Sequence, residues 1–328
     1  MPPISSSKAT TDISQPGWMP RNGLGFSARS CGDCAPRKKR PRLARTGMSP
    51  VSLLVENDGE APIHSDWTYR PIATKRSGML PKIIWWLWFQ GSAEAPELVR
   101  ACGASWRRHN PDWTIRYLSR DTLIRYLDPS PDLKSIFDKN LPLQALSNVL
   151  RIELLSRFGG VWADATTYCL RPLNDWVDHA TRTGFFAFAR PAPDRMLSNW
   201  FIAAEPGSYI VDVWRKKTST YWSNRQERHH YFWHHYLFAD AYETDERFKA
   251  IWDATPKMPA GRPCYFIPYE QRLFKPFNER DRVIVETAWV PLLKLTHKLP
   301  SGRDDRGTTF RWLCDRMKPW EHLIEPEP

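Results

Sequence analysis

A single carboxylate, Asp164, stands where a short apolar run ends, in the stretch Gly-Gly-Val-Trp-Ala-Asp-Ala-Thr-Thr-Tyr over residues 159–168. A helical pattern leads into this run, so we expect Asp164 at the carboxyl end of a buried strand. Open α/β sheets bind their ligands at that edge. A carboxylate there is well placed to hold a divalent cation and, through it, a diphosphate. The competing interpretation is a turn or helix-cap aspartate, which is common for a lone residue.

The segment 142–158, which precedes this carboxylate, has the pattern of an amphipathic helix. Its apolar residues recur at steps of three and four and predict one buried stripe. Pro142 suits the first turn, and Gly159 suits a left-handed cap. Asn148 and Arg151 are neighbours on another face, where an amide and a guanidinium together can read a hydroxylated, anionic ligand. The pattern alone favours a simpler interpretation, in which Arg151 pairs with a surface acid.

Five motifs follow one another between about Leu80 and about His297, over most of the chain. They are Pro81-Lys82-Ile83-Ile84 with Trp88; Ser147-Asn148-Val-Leu-Arg151 with Phe158-Gly159-Gly160 and Asp164-Ala165-Thr166; Ser198-Asn199-Trp200-Phe201-Ile202; His235-Tyr236-Leu237-Phe238; and Lys294-Leu295-Thr296-His297-Lys298. In this order they resemble the DxD-containing sugar-transferase (GT32-like) superfamily of glycosyltransferases. The resemblance is to its capsular polysaccharide synthesis branch, which is similar to this chain in using Asp-Ala-Thr.

Two positions depart from the superfamily pattern, which is Ser-Asp-x-x-Arg, a helix ending in Tyr-Gly-Gly, and a strand ending in Asp-x-Asp. Asn148 replaces the aspartate of Ser-Asp, and Thr166 replaces the second acid of Asp-x-Asp. An amide still forms hydrogen bonds with sugar hydroxyls. A threonine hydroxyl binds Mg²⁺ or Mn²⁺ more weakly than a carboxylate does. The pattern therefore predicts binding of the sugar donor more strongly than it predicts dependence on a metal ion.

The resemblance implies an α/β fold, with a GT-A-like nucleotide-sugar-binding sheet and helical insertions. It implies transfer of a hexosyl unit from a UDP- or GDP-sugar to a capsular or surface polysaccharide, on a glycan or lipid-linked glycan acceptor, with Mn²⁺ or Mg²⁺ as cofactor. Related members retain the anomeric configuration, and the leaving diphosphate would then itself accept the acceptor's proton. The alternative is a catalytically silent protein that binds sugar nucleotides or glycans on the same fold.

The cation site implied by the resemblance consists of Asp164, Thr166 and His297. Asp164 would also hold the nucleotide ribose. The C-terminal segment would fold back over the donor, so that Lys294 or Lys298 meets the diphosphate. The competing interpretation of this segment is a basic surface strand.

The donor site implied by the resemblance adds Trp88, which would stack on the base, and Asn148 and Arg151, which would grip sugar hydroxyls or, for Arg151, a phosphate. Core packing beside Trp85 and Trp86 explains Trp88 equally well. Alternation along a strand places Trp86 and Trp88 on one face and Trp85 on the other.

The catalytic residues implied by the resemblance are Asp164, Asn199 and His235. Asn199 is expected at the junction of donor and acceptor, although a buried amide bonded to backbone explains it nearly as well. His235 is expected near the acceptor. His230 and His234 have the spacing of a zinc motif, but no acid is placed like the glutamate of His-Glu-x-x-His, so we expect an aromatic helix there.

The positive charge of the chain is concentrated at its beginning. Residues 1–50 hold nine Lys or Arg and two Asp, a balance of +7, which leaves +4 of the total +11 for residues 51–328. This mild balance suits nucleoside diphosphates or a phospholipid surface, and we expect no nucleic-acid partner. The chain contains 17 Trp; aromatic faces bind sugar rings, but most of these residues are expected in a core.

Composition predicts that residues 1–79 are a disordered basic tail and linker. The resemblance implies that residues 80–328 form a GT-A-like glycosyltransferase domain. Met48 and Met79 are both candidate starts, and a lone Cys31-Gly-Asp-Cys34 is a weak metal motif. No apolar run approaches the ~18–20 residues of a membrane helix, and no signal-peptide core is present. We therefore expect a cytoplasmic protein, in peripheral contact with the inner face of the membrane if its acceptor is lipid-linked.

The periodicity predicts strands that alternate with helices, as in an α/β sheet. The predicted strands are 83–89, 113–118, 161–164, 184–189, 200–204 and a late one at 282–286; the predicted helices are 96–109, 119–127, 142–158, 208–222, 224–242 and 245–252.

Overall fold

The computed structural model describes residues 78–127, 130–288, 290–299, 302, 304–320 and 324. The predictions for the basic tail, the linker and the Cys31–Cys34 motif lie outside these residues, apart from the last two positions of the linker.

The fold is built on a mixed five-stranded sheet with the order β2-β1-β3-β6-β5. β1 is parallel to β2 and to β3, whereas β6 is antiparallel to β3 and to β5. A second sheet pairs β4 with β7 in antiparallel register. The strands are β1 Ile83–Leu87, β2 Thr114–Leu118, β3 Gly160–Asp164, β4 Thr167–Cys169, β5 Phe185–Ala192, β6 Arg195–Ala204 and β7 Leu292–Lys294.

Helices cover both faces of the large sheet, and the predicted α/β class with helical insertions is confirmed. They are α1 Glu97–His109, α2 Arg120–Leu123, α3 Pro131–Phe137, α4 Leu143–Phe158, α5 Val177–Ala180, α6 Tyr209–Ser223, α7 Trp233–Thr244, α8 Glu246–Ala254, α9 Tyr269–Arg272, α10 Glu279–Glu286 and α11 Thr309–Arg316. None of the helices in the described part of the chain has the length and apolar character that crossing a bilayer requires.

Two hydrophobic cores lie on opposite faces of the sheet. Trp86 belongs to one core, against which Trp88 packs while partly buried. Trp85 belongs to the other core, together with most of α4. The predicted alternation of these three tryptophans is confirmed, because successive strand residues point to opposite faces.

Helix α4 is buried on most of its surface rather than along one stripe. Its buried residues include the polar Asn148, Arg151 and Glu153, because the sheet covers one side and α6 packs against another. The predicted amphipathic pattern is therefore wrong for this helix. These three polar residues are enclosed, and they need partners inside the protein.

The turn from α4 into β3 depends on two glycines. Gly159 has the predicted positive φ, 62°, but its ψ of −155° lies outside the left-handed helical region predicted for this cap. Gly160 follows with a φ of 90°. A Cβ atom on Gly160 would lie 2.6 Å from the carbonyl oxygen of Ile83, and one on Gly159 would lie 2.6 Å from the backbone nitrogen of Pro206. β3 can therefore enter the sheet beside β1 only if this turn carries no side chains.

Three predicted elements differ in the structure. The strand predicted over 200–204 begins already at Arg195, the first residue of β6. The late strand at 282–286 is wrong, since these residues lie in α10, whose first turn is capped when the Asn278 side chain accepts a hydrogen bond from the Asp281 backbone (3.0 Å). Val283 is 48% exposed while Ile284 and Val285 are buried, which is a helical and not an alternating pattern. The helix predicted over 224–242 begins only at Trp233.

Candidate functional site

The Asp164 carboxylate lies at the carboxyl end of β3, opposite Leu87 of β1. Its Oδ1 accepts hydrogen bonds from the Arg151 guanidinium (3.1 Å) and from the Trp162 indole (2.9 Å). Its Oδ2 accepts one from the Lys294 ammonium (3.2 Å). The side chain is 25% exposed, so the carboxylate is held by protein groups and still reaches solvent. The predicted place of Asp164 at the strand end is confirmed.

Asp164 is ionised at neutral pH. Burial by itself would raise the pKa of this carboxyl, but the nearby charges of Arg151 and Lys294, together with the Trp162 and Lys294 hydrogen bonds, lower the pKa below its ordinary value. Two cations around one carboxylate leave a local charge of +1, which suits an anionic ligand.

Arg151 is the buried partner of Asp164, and the interpretation that pairs it with a surface acid is wrong. Its guanidinium, 4% exposed, donates to the Ser147 carbonyl (3.3 Å), the Ser147 hydroxyl (3.2 Å) and the Asn199 carbonyl. Its cationic carbon lies 5.1 Å from the Trp162 ring centre. Four of its five N–H groups therefore already have partners within the protein, so this residue positions α4, β3 and β6 around the carboxylate.

Asn148 and Asn199 contact each other across the gap between α4 and β6. The Asn199 amide nitrogen lies 3.0 Å from Asn148 Oδ1 and 3.4 Å from His234 Nδ1. His234 is fully buried and stacks on Trp214 with ring centres 4.1 Å apart. Both predicted amide residues are thus brought beside Arg151, whose guanidinium is bonded to the Asn199 backbone.

His235 lies close enough to the charged groups of the site for them to shift its pKa. Burial first, and then the charges of Arg151 and Arg195, lower the pKa of His235 to about 3, although Asp194 and Asp164 act in the opposite direction. The imidazole is therefore neutral at physiological pH. Its Nδ1 is buried without a hydrogen-bond partner in the described residues. A neutral imidazole of this kind can exchange hydrogen bonds with a ligand, but its pKa is far from the value that suits a general base.

Trp88 and His297 meet edge to face, with ring centres 5.3 Å apart. Trp88 directly follows β1, and β1 and β3 are parallel neighbours, so Trp88 and Asp164 lie at the same edge of the sheet. The Trp88 indole nitrogen is buried and has no partner among the described residues. Lys298, which follows His297, is exposed. Its backbone nitrogen donates a hydrogen bond to the Thr296 hydroxyl (3.1 Å).

The residues expected to hold a divalent cation do not fit one in this arrangement. Thr166 and Asp164 both accept hydrogen bonds from the same Lys294 ammonium. His297 makes its ring contact with Trp88. Within the described part of the chain, no three His, Cys, Asp or Glu side chains are grouped as metal ligands.

Three residues of the site were not predicted from the sequence to belong to it. Trp162 precedes Asp164 by two positions in a strand, so a shared face was a usable signal. Ser147 precedes Arg151 by one helical turn, which places the two side chains together. His234 carried no such signal, because its contacts with Asn199 and Trp214 come from distant parts of the chain.

A family model described as capsular polysaccharide synthesis protein matches residues 67–312. The chain belongs to this family. O-glycosyltransferase braB of Annulohypoxylon truncatum is 28% identical over 159 residues, which are 43% of this chain and 38% of that protein. Glycosyltransferase afumC of Aspergillus fumigatus is 29% identical over 182 residues, which are 50% of this chain and 45% of that protein. The matched part thus spans less than half the length of these two relatives.

Solved glycosyltransferase structures overlap with this family member at low similarity. The PaToxG glycosyltransferase aligns with a TM-score of 0.40 and 15% identity, over 53% of this chain and 74% of that one. The galactosyltransferase LgtC, in complex with donor and acceptor sugar analogs, aligns with a TM-score of 0.37 and 12% identity, over 75% of this chain and 97% of that one.

Proposed function

We propose that this protein is a glycosyltransferase that moves a hexosyl unit from a UDP- or GDP-sugar to a hydroxyl group of a glycan or lipid-linked glycan. The observation that carries the proposal is the ionised Asp164 at the carboxyl edge of the sheet, enclosed by Arg151 and Lys294. Membership of the capsular polysaccharide synthesis family and the names of the relatives support this class of reaction.

The proposed transfer retains the anomeric configuration. The bond between the sugar C1 and the diphosphate oxygen breaks, and the acceptor oxygen forms a bond with C1 on the same face. The leaving diphosphate takes the acceptor's proton, so no protein base is needed, in keeping with the low pKa of about 3 at His235. The protein contributes orientation of the two substrates and stabilisation of the developing negative charge.

The residues of the site have different proposed roles toward the donor and the acceptor. Trp88 stacks on the nucleotide base, and Asp164 holds the ribose. Asn148 and Asn199, which are bonded to each other, face the sugar hydroxyls, and His235 contacts the acceptor by a hydrogen bond from its neutral ring. Lys298 reaches the diphosphate from the exposed chain after β7.

A nucleotide panel with a transfer assay tests this function. UDP, GDP, CDP and their sugar conjugates are screened by thermal shift, and each sugar nucleotide is then assayed for hydrolysis and transfer. We expect one nucleotide to stabilise the protein, and Asp164→Asn to abolish turnover while the variant remains folded by circular dichroism. Equal turnover by Asp164→Asn and the wild type would remove Asp164 from the reaction and contradict the assignment.

A second candidate is a catalytically silent protein that binds sugar nucleotides. The observation that favours it is that both Asp164 oxygens and the Thr166 hydroxyl are already engaged by protein groups. Such a protein would be stabilised by a nucleotide sugar yet release no free sugar from it, whereas the proposed enzyme would slowly hydrolyse the same donor.

Contact with a membrane surface is proposed only for the case of a lipid-linked acceptor. Sedimentation with vesicles that contain anionic lipid, compared with neutral vesicles, measures this contact directly.

A further inference from the structure

The ammonium group of Lys294 lies between the two oxygen atoms that the family resemblance assigns to a metal ion. Its Nζ is 3.2 Å from Asp164 Oδ2 and 2.6 Å from Thr166 Oγ1. Lys294 is held in β7, in register with Thr167 of β4, and the next backbone nitrogen, of Leu295, donates to the Thr166 carbonyl (2.8 Å). Two backbone connections therefore fix a positive charge beside these oxygens.

A divalent cation would compete poorly with this ammonium. Mg²⁺ sites with one or two carboxylates are completed by water and substrate phosphates, but here the position between the Asp164 carboxylate and the Thr166 hydroxyl is taken by the Lys294 ammonium. The other oxygen of the carboxylate already accepts hydrogen bonds from Arg151 and Trp162. An ion bound between Asp164 and Thr166 would have to expel the Lys294 ammonium or lie against a like charge.

Arg151 and Lys294 are the two cations that contact Asp164, and the second is the more accessible to a diphosphate. An ammonium has three donor hydrogens. Within the described part of the chain Asp164 and Thr166 take two of them, so one is left for a phosphate oxygen. The side chain is 19% exposed, compared with 4% for Arg151. Arg151 therefore contacts the carboxylate from the protein interior, and Lys294 contacts it from the side that is open to solvent.

We propose that Lys294 takes the place of the divalent cation, so that this protein binds its anionic diphosphate ligand without metal. The part concerning transfer rests on the proposed function: as the bond between C1 and the diphosphate oxygen breaks, the added negative charge on the leaving group is met by the Lys294 ammonium. Thr166 is then not the remnant of a metal site that has lost its second carboxylate. Its hydroxyl accepts a hydrogen bond from the ammonium and so orients it. A second carboxylate at this position would hold the ammonium more tightly and would neutralise its charge.

The first experiment measures Mn²⁺ binding to the nucleotide-free protein by electron paramagnetic resonance. We expect no stoichiometric site in the wild type. In the double variant Lys294→Met/Thr166→Asp, which removes the ammonium and restores the acid pair, we expect one Mn²⁺ per chain. A stoichiometric Mn²⁺ in the wild type that is lost in Asp164→Asn would overturn the inference, whatever the activity of the protein.

The second experiment compares nucleotide affinity and donor turnover in EDTA and in Mn²⁺. We expect wild-type values to agree within twofold, Lys294→Met to lose at least tenfold in both conditions, and Lys294→Arg to recover part of the loss. Lys82→Met is the control, since Lys82 forms an exposed ion pair with Asp112 (2.5 Å). Wild-type turnover that stops in EDTA and returns with Mn²⁺ would overturn the inference. Failure of every donor to turn over would instead contradict the proposed function, and the resonance experiment would still decide the cation question.

Discussion

The guanidinium of Arg151 lies 3.1 Å from the carboxylate of Asp164, which joins helix α4 to the end of strand β3. The same guanidinium donates to the Asn199 carbonyl in β6. One buried cation thus connects three elements that each carry a candidate site residue. The geometry of the site and the stability of the fold therefore depend on the same contacts.

Replacing Arg151 by Met should destabilise the protein by about 3 kcal/mol, because removal of one partner leaves a largely enclosed carboxylate with less compensation. The value is at the low end for such pairs, since Asp164 keeps Lys294 and is 25% exposed. Urea unfolding followed by tryptophan fluorescence measures the change. Arg306→Met is the control: Arg306 is 89% exposed in its pair with Asp304, so we expect no measurable change in stability. Equal losses in the two variants would contradict the structural role of Arg151.

The stabilisation that Asp164 provides should disappear in acid. Its folded pKa lies below the ordinary value of 3.8, so its contribution is complete above that value and is lost as the pH falls through the folded pKa. Asp164→Asn should cost roughly 3 kcal/mol at pH 7, because two cations lose their partner. Unfolding curves of the variant and the wild type should then converge as the pH falls below 3.8. A difference that stays constant from pH 7 into this acid range would show that the lost interaction is not ionic.

His235 should remain neutral throughout the physiological range. Burial first, and then the charges of Arg151 and Arg195, hold its pKa near 3. Its imidazole resonances in nitrogen–proton correlation spectra should therefore not titrate between about pH 5 and 8, the range in which an unperturbed histidine changes its charge. The pH–rate profiles of the wild type and His235→Gln should have the same shape in that range. An ionisation near pH 6.5 that vanishes in the variant would identify His235 as a proton-transferring residue instead.

Gly160→Ala should destabilise the protein by about 3 kcal/mol, through both a strained φ and a steric clash. The added Cβ would lie 2.6 Å from the Ile83 carbonyl oxygen at a φ of +90°. Gly207→Ala separates the two effects, because Gly207 has a φ of +70° and none of the described residues lies within 4 Å of its Cβ position. We expect a loss of only about 1 kcal/mol there. Thermal unfolding of both variants measures the difference, and equal losses would show that the contact with Ile83 relaxes without cost.

Much of the local structure followed from short-range patterns. The strand that ends at Asp164, the preceding helix and the turn at Gly159 were predictable, because periodicity and glycine conformation act over a few residues. The late segment was not, because Val283, Ile284 and Val285 form too short an apolar run to separate a strand from a helix. There the Asn278 cap and one-sided burial decide the outcome.

The sequence by itself determined that an aspartate would stand at the carboxyl edge of a sheet, with Asn148 and Arg151 on the helix before it, since all of these lie within one helix–strand unit. Only the tertiary structure decided what surrounds that aspartate. Lys294 reaches it from 130 positions further along the chain, and Asn199 meets Asn148 from 51 positions away. Contacts at such separations depend on which strands become neighbours and on how closely their side chains pack. The charge states of the site residues likewise depend on the folded chain, because burial keeps His235 neutral, whereas the charges of Arg151 and Lys294 keep Asp164 ionised against the effect of burial.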